Sequence, residues 1–271
     1  MIRKYKATGG ILLTASHTPG GPNGDFGIKY NVSNGGPAQD DLRFQIYENT
    51  KTIASYKVID APIVRLPILF SVYSDPWQIE LSKIGDFTYG PSKVSIIDPV
   101  FDYLDLLQSI FDFSLIKKFL DLHRSDFRVL FDGLNGAMGL YARALLVDSL
   151  GLPKSSTQNC TPLPDFGGLY PDPNFTYGGT LIDAVNKRDI DFGAASDGDG
   201  DKHMIIGKGA FVTPSDSVAI IAHWADTIPY FKKNGVKGLA RSMPTSKALD
   251  LVAQKKGFEC FELPTGKSNL F

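Results

Sequence analysis

Short apolar runs alternate along this chain with longer stretches whose apolar residues recur at helical spacing. The short runs read as strands and the longer ones as amphipathic helices. GGILLT (Gly9–Thr14) and FGIKYN (26–31) are predicted strands. PAQDDLRFQIYENTKTIASY (37–56) is predicted to be a helix opened by Pro37, because proline suits the first helical position. KVSIID (93–98) reads as a strand, then PVFDYLDLLQSIF (99–111) and FSLIKKFL (113–120) as helices. FRVLFD (127–132) reads as a strand and GAMGLYARALLVDSL (136–150) as a helix. The proline-rich stretch 161–179 is predicted to be a loop. DFGAAS (191–196) and HMIIGK (203–208) flank a polar turn. The helix in 213–228 starts with Thr213 as N-cap and Pro214 at its first position. GLARS (238–242), the helix 246–256 and the strand FECFEL (258–263) complete the pattern. Such alternation predicts α/β layers. IVRLPILFSVYSDPWQ (63–78) stands apart as an apolar insert with two prolines.

Composition narrows the classes. The chain has 271 residues, 43% of them hydrophobic, enough for a real core. A net charge of −1 leaves no electrostatic footprint for nucleic acid or an anionic membrane. Cys160 and Cys260 are the two cysteines and cannot build a disulfide framework, so a reducing cytoplasm is expected. The opening MIRKYKATGG lacks the apolar run of a signal peptide, and the apolar runs are too short to span a bilayer. A cytoplasmic monomer is the expectation.

Two stretches carry candidate chemistry. Ser16 and His17 follow the first strand, and the turn behind them, Pro19-Gly20-Gly21-Pro22, can bring backbone N–H groups close to an anion. A serine presented there can carry or attack a phosphoryl group, and His17 can move a proton near neutral pH. Lys29, on the next strand, can reach back to the same place. The second stretch is ASDGDGDKH (195–203). Its aspartates Asp197, Asp199 and Asp201 repel one another unless a cation sits between them, and their oxygens suit a hard divalent ion such as Mg²⁺. A calcium EF-hand fails, because Lys202 and Lys208 stand where that loop needs glycine and glutamate. PTGKS (264–268) is not a phosphate-binding P-loop, since Phe261 occupies the required glycine position. Gly133, Gly136 and Gly139 do not make the dinucleotide pattern and read as structural. His123 lies in a charged linker and His223 reads as a packing residue.

The serine turn and the aspartate loop together resemble the α-D-phosphohexomutase family, most closely its eukaryotic phosphoglucomutase branch. GGILLTASHTPGGPNGDFGIKYN, SNGGPA, DFGAASDGDGDKHMIIG, PSDSVAIIA, GLARSMPTSKALD and ELPTG carry the likeness. The resemblance implies repeated mixed α/β domains of the phosphohexomutase type, here incomplete. It implies a partial domain 1 over 1–97 holding the phosphoserine loop and the insert. Domain 2 over 98–213 would hold the metal loop, and a partial domain 3 over 214–271 the start of the sugar-binding loop. By the same resemblance Ser16 is the phosphorylated serine, and His17 and Lys29 handle proton transfer. Ser16, Asp197, Asp199 and Asp201 hold Mg²⁺, and Lys202, Thr265 and Gly266 contact substrate. The implied reaction interconverts glucose 1-phosphate and glucose 6-phosphate through glucose 1,6-bisphosphate, with hexose phosphates as partners. The long GGPNGDFGIKYN stretch favours glucose over mannose.

The sequence departs from the family pattern at Thr18, usually asparagine, at Ser196, usually phenylalanine, and at Lys202, usually arginine. Lysine offers phosphate a point charge where arginine offers a fixed fork. Compared with the family, the chain is expected to be truncated at both ends, without the GEESFG-type sugar loop and the fourth domain, and therefore to be inactive by itself. Residues 63–78 and 267–271 break the family match, and permitted codons there include intron-like signals, so translated intron is the expectation for both. The alternative from another class is a non-catalytic binding or scaffold relative, against which the retention of Ser16 and all three aspartates argues.

Overall fold

The computed structural model describes residues 1–56, 83–89 and 92–265. In chain order the first elements are β1 (Gly9–Thr14), β2 (Gly27–Val32), α1 (Asp40–Thr52), β3 (Gly85–Tyr89), β4 (Ser92–Ile96), α2 (Pro99–Ile110) and α3 (Phe113–Leu122). There follow β5 (Val129–Asp132), α4 (Met138–Ala142), β6 (Thr157–Gln158), α5 (Gly179–Arg188), β7 (Phe192–Ser196), β8 (His203–Gly207) and β9 (Ala210–Val212). The last are α6 (Pro214–His223), α7 (Pro229–Asn234), β10 (Leu239–Ser242), α8 (Ala248–Lys256) and β11 (Cys260–Leu263). The predicted α/β alternation is the observed one.

β1 and β2 form an antiparallel pair with Leu12 opposite Lys29 and Leu13 opposite Ile28. Opposed residues share a face and successive residues alternate, so Leu12 and Lys29 point one way and Leu13 and Ile28 the other. The central sheet has the order β6-β5-β7-β8-β9. β6, β5 and β7 run parallel, and β8 and β9 return antiparallel. The turn between β7 and β8 is the aspartate loop, and it leaves from the carboxyl end of a parallel strand, where α/β sheets present their ligand sites.

α5 holds that sheet. Leu181, Ala184 and Val185 pack against Leu130, Ala195 and Met204 in a buried cluster. Leu181 is fully buried, and taking such a side chain out of water stabilises by about 1.5–3 kcal/mol. A second cluster joins Leu120 of α3 to Leu150 and Leu152. A third joins Ala219 and Ala222 of α6 to Leu249 of α8. Thr213 caps α6 as its sequence predicts, accepting a hydrogen bond from the Asp216 N–H.

Three details differ from the sequence reading. Pro37 does not open a helix; it bridges to Asn31 in extended pairing, and α1 begins at Asp40. The tight turn at Asn34 and Gly35, with Gly35 at φ 92° and the Gly36 N–H on Asn34 Oδ1, carries the chain back to make that bridge. The stretch 136–150 is not one α-helix: α4 widens into a π-helical turn over Arg143–Ser149. α5, α7, β3, β6 and β9 are elements that the sequence pattern left unmarked. The insert 63–78 and the segment 267–271 lie outside the described residues, as does Gly266.

Candidate active site

Ser16 lies two residues beyond the end of β1, in a turn that its own backbone makes unusual. Its φ is +59°, a left-handed conformation that side-chain-bearing residues adopt at a cost of about 1–3 kcal/mol. The Ser16 N–H donates to Thr14 Oγ1 at 2.8 Å, and the Thr18 hydroxyl and N–H both donate to the Ala15 carbonyl, which fixes the turn. His17 Nδ1 is 3.4 Å from Ser16 Oγ; the imidazole tautomer decides which of the two donates.

Lys29 brings the two halves of the site together. From the inward face of β2 its ammonium donates to Ser16 Oγ at 3.2 Å, to Asp199 Oδ2 at 2.5 Å and to Asp201 Oδ2 at 3.3 Å. Burial pulls this ammonium towards neutrality, but the hydrogen bonds and charges of Asp199 and Asp201 outweigh it and hold Lys29 above the ordinary lysine value. In this arrangement it is a hydrogen-bond donor to all three oxygens.

The aspartate loop folds so that oxygens of Asp197, Asp199 and Asp201 lie within 4.8 Å of one another. Asp197 is fully buried. Its Oδ1 accepts the Lys202 N–H at 2.9 Å, whereas its Oδ2 and Asp199 Oδ1 are buried without a hydrogen-bond partner among the described residues. Burial pushes the Asp197 carboxyl up to about 6; the Lys202 N–H opposes this, and the charges of Asp199 and Asp201 add to it. Buried acceptors without donors are costly. Carboxylate oxygens converging from three side chains, two of these oxygens buried without a donor among the described residues, are the donor set of a hard divalent cation, so these residues fit one.

Lys202 meets the site through its backbone N–H. Thr265 lies two residues beyond β11, on the two-stranded β10–β11 sheet and not on the elements that carry Ser16 and the aspartates. A cavity of about 980 Å³ opens beside β1, bordered by Leu12, Phe26, Tyr103, Tyr141 and Asp199. Ser16, His17 and Lys29 do not line it, but Ala15, Gly198 and Asp199 do, so the ionic cluster stands at its edge.

Close backbone approach seats the loop. A methyl group at Gly198 would overlap the Ser16 carbonyl oxygen and lie 2.7 Å from Phe166 Cζ. A methyl at Gly136 would lie 2.8 Å from Gly198 Cα, and the Ala137 N–H donates to the Gly198 carbonyl at 2.9 Å. Gly136 is therefore structural, as its pattern predicts. Phe166, in the stretch read as a connecting loop, is a site neighbour for which the sequence carried no signal beyond an aromatic residue among prolines and glycines.

Three sequence models match, each described as a domain of phosphoglucomutase/phosphomannomutase: α/β/α domain I over residues 1–57, domain II over 102–209 and domain III over 213–271. The chain belongs to this family. A phosphoglucomutase of Aspergillus oryzae is 54% identical over 266 residues, covering 98% of this chain and 45% of the relative. Phosphoglucomutase 1 of Saccharomyces cerevisiae is 53% identical, covering 98% of this chain and 46% of the relative. Among solved structures, the open form of pp63/parafusin from Paramecium, described as a phosphoglucomutase and an exocytosis-sensitive phosphoprotein, superposes with a TM-score of 0.84 at 44% identity. That match covers 98% of this chain and 47% of the other. The chain thus spans about half the length of the curated relatives it matches. Family membership accounts for the α/β/α layering, and no described helix is long and apolar enough to cross a membrane.

Proposed function

We propose that this chain carries the phosphoryl-transfer centre of a phosphoglucomutase, with Ser16 as the residue that bears the phosphoryl group. The observation that supports this best is the convergence of Ser16, Lys29 and the aspartate loop on one point, from elements more than a hundred residues apart in sequence. In the proposed reaction, the bond between phosphorus and Ser16 Oγ breaks as a bond forms to the free hydroxyl of glucose 1-phosphate. The proton of that hydroxyl leaves to a base, and Ser16 Oγ takes a proton. Glucose 1,6-bisphosphate results, and returning its other phosphoryl group to Ser16 releases glucose 6-phosphate. Lys29, held charged, donates to Ser16 Oγ as it leaves. His17 is the neighbouring group able to exchange a proton with the same oxygen. Asp197, Asp199 and Asp201, with Ser16 Oγ, would hold Mg²⁺. A bound Mg²⁺ supplies positive charge to the oxygens of the group in transfer.

The remaining assignments belong to the same reading. Lys202, Thr265 and Gly266 contact the hexose phosphate, and the substrate is a glucose phosphate, in keeping with the relatives named above. Residues 1–97, 98–213 and 214–271 form three domain units, the first and third partial. The protein works in the cytoplasm as a monomer, in keeping with Cys160 and Cys260 both being free. These 271 residues by themselves turn over negligibly, because a bisphosphate must be gripped at both ends for its two phosphoryl groups to be exchanged.

Two measurements test the reading. Glucose 1,6-bisphosphate carrying radiolabelled phosphate should label the chain and leave Ser16→Ala unlabelled; label retained in that variant would overturn the assignment. Asp199→Ala should abolish Mg²⁺ binding measured by calorimetry, and unchanged binding would overturn the metal assignment.

A further inference from the structure

We infer that Phe166 is a positioning residue that sets the distance between Ser16 and the aspartate loop. The inference rests on the proposed role of Ser16 as a fourth oxygen at the cation site. Ser16 and the aspartates sit on different structural units, the β1–β2 hairpin and the β7–β8 turn, and something must fix the gap between them. Phe166 touches both. A methyl at Gly198 would lie 2.7 Å from its Cζ, and a methyl at Gly20 would lie 3.1 Å from its Cε2. Gly20 belongs to the turn behind Ser16, and Gly198 lies between Asp197 and Asp199. The ring is thus packed against backbone on both sides, where no side chain can yield.

The ring is also held from behind. Phe166 is buried and has φ +53°, a strained conformation for an aromatic residue. Strain of this kind survives only where neighbours over-determine it. Here the Phe166 N–H donates to the Leu163 carbonyl, the Gly167 N–H to Asp165 Oδ1 and the Leu169 N–H to the Phe166 carbonyl. The Leu163 N–H in turn donates to the carbonyl of Asn135, whose side chain donates to Thr161. Asn135 itself stands one residue before Gly136, which abuts the aspartate loop. The strut is therefore tied to the same sheet end that carries the aspartates, and its free end meets the Ser16 turn.

The prediction is a loss of coupling, which a purely structural role would not produce. Mg²⁺ affinity is measured by calorimetry for the 271-residue chain, Ser16→Ala, Phe166→Ala and the double variant. Removing the Ser16 oxygen should weaken binding by about tenfold, and so should removing Phe166. The double variant should bind no more weakly than Phe166→Ala alone, because the Ser16 oxygen is already out of reach. Losses that add independently would overturn the inference alone. An unchanged affinity in Ser16→Ala would overturn the functional reading and the inference with it. Phe166→Leu, which keeps apolar volume but not the reach of the ring, gives the same cycle if the alanine variant does not fold. Amide hydrogen exchange adds a second reading: in Phe166→Leu, residues 15–25 should exchange faster while β5 and β7 keep their protection. Unchanged exchange across 15–25 would also overturn the inference.

Discussion

Gly198→Ala is the sharpest probe of how the two halves of the site meet. The added methyl would overlap the Ser16 carbonyl oxygen and lie 2.7 Å from Phe166 Cζ and 2.9 Å from Cε1. Relaxed contacts of this kind are about 3.5–4.0 Å. Neither neighbour can rotate away, since one is backbone and the other is a buried ring. The Ser16 turn and the aspartate loop must therefore part by about 1 Å. Overpacking of this size costs about 1–3 kcal/mol of stability. A displacement of about 1 Å between reacting groups costs about 100-fold in rate, or about 2.7 kcal/mol of barrier. The assay is the rate at which label from glucose 1,6-bisphosphate enters the protein, alongside a thermal melt. Gly179→Ala is the control, because a methyl there meets nothing within 4 Å. It should label at the wild-type rate. A Gly198→Ala protein that labels within twofold of wild type would refute the claim that this contact sets the geometry.

Other consequences can be measured directly. Leu181→Ala removes a fully buried side chain from the cluster under α5 and should cost about 2–5 kcal/mol in a denaturant titration. Asp102 accepts hydrogen bonds from Lys4 and Tyr5, which hold its carboxyl below the usual carboxylate range. A carboxylate with a depressed folded value stabilises at neutral pH and loses that contribution as pH falls through the folded value. The N-terminal segment should therefore detach from α2 in acid below the ordinary aspartate range. Tyr5 ring resonances should report the step, and Asp102→Asn should abolish it. Burial pushes the Cys160 thiol up to about 11. Cys160 should resist alkylation at neutral pH until the protein is unfolded, as read by mass spectrometry of its peptide.

The chemistry-bearing residues were legible because their signals are local. Alternating aspartates and glycines after an apolar strand mark a candidate cation loop, and a serine before Pro-Gly turns marks a candidate phosphate turn. α6 was legible from Thr213 and Pro214 for the same reason. Lys29 was legible only as a lysine on the next strand; the antiparallel pairing of β1 and β2 is what brings it back to Ser16. What the sequence hid depends on tertiary contact. α5 opens on Gly179 after a run of prolines and glycines, and its short apolar set Leu181, Ala184 and Val185 makes sense only against the sheet. β6 exists because β5 pairs with it over two residues. Pro37 misled because its local preference for a helix start lost to the bridge with Asn31. Phe166 was invisible because its role lies in the backbone it touches, and no spacing rule encodes that.

The central claim is that Ser16 and the aspartate loop act as one centre, and phosphorylation of Ser16 in the Asp199→Asn variant tests it most directly. Asparagine keeps the shape of Asp199 but removes the charge that faces Lys29 and one charge from the proposed cation site. The protein is incubated with Mg²⁺ and labelled glucose 1,6-bisphosphate, and label at Ser16 is followed over time. The account predicts that Asp199→Asn folds, by circular dichroism, yet takes up label at Ser16 far more slowly than wild type. A folded Asp199→Asn that labels Ser16 at the wild-type rate would contradict it.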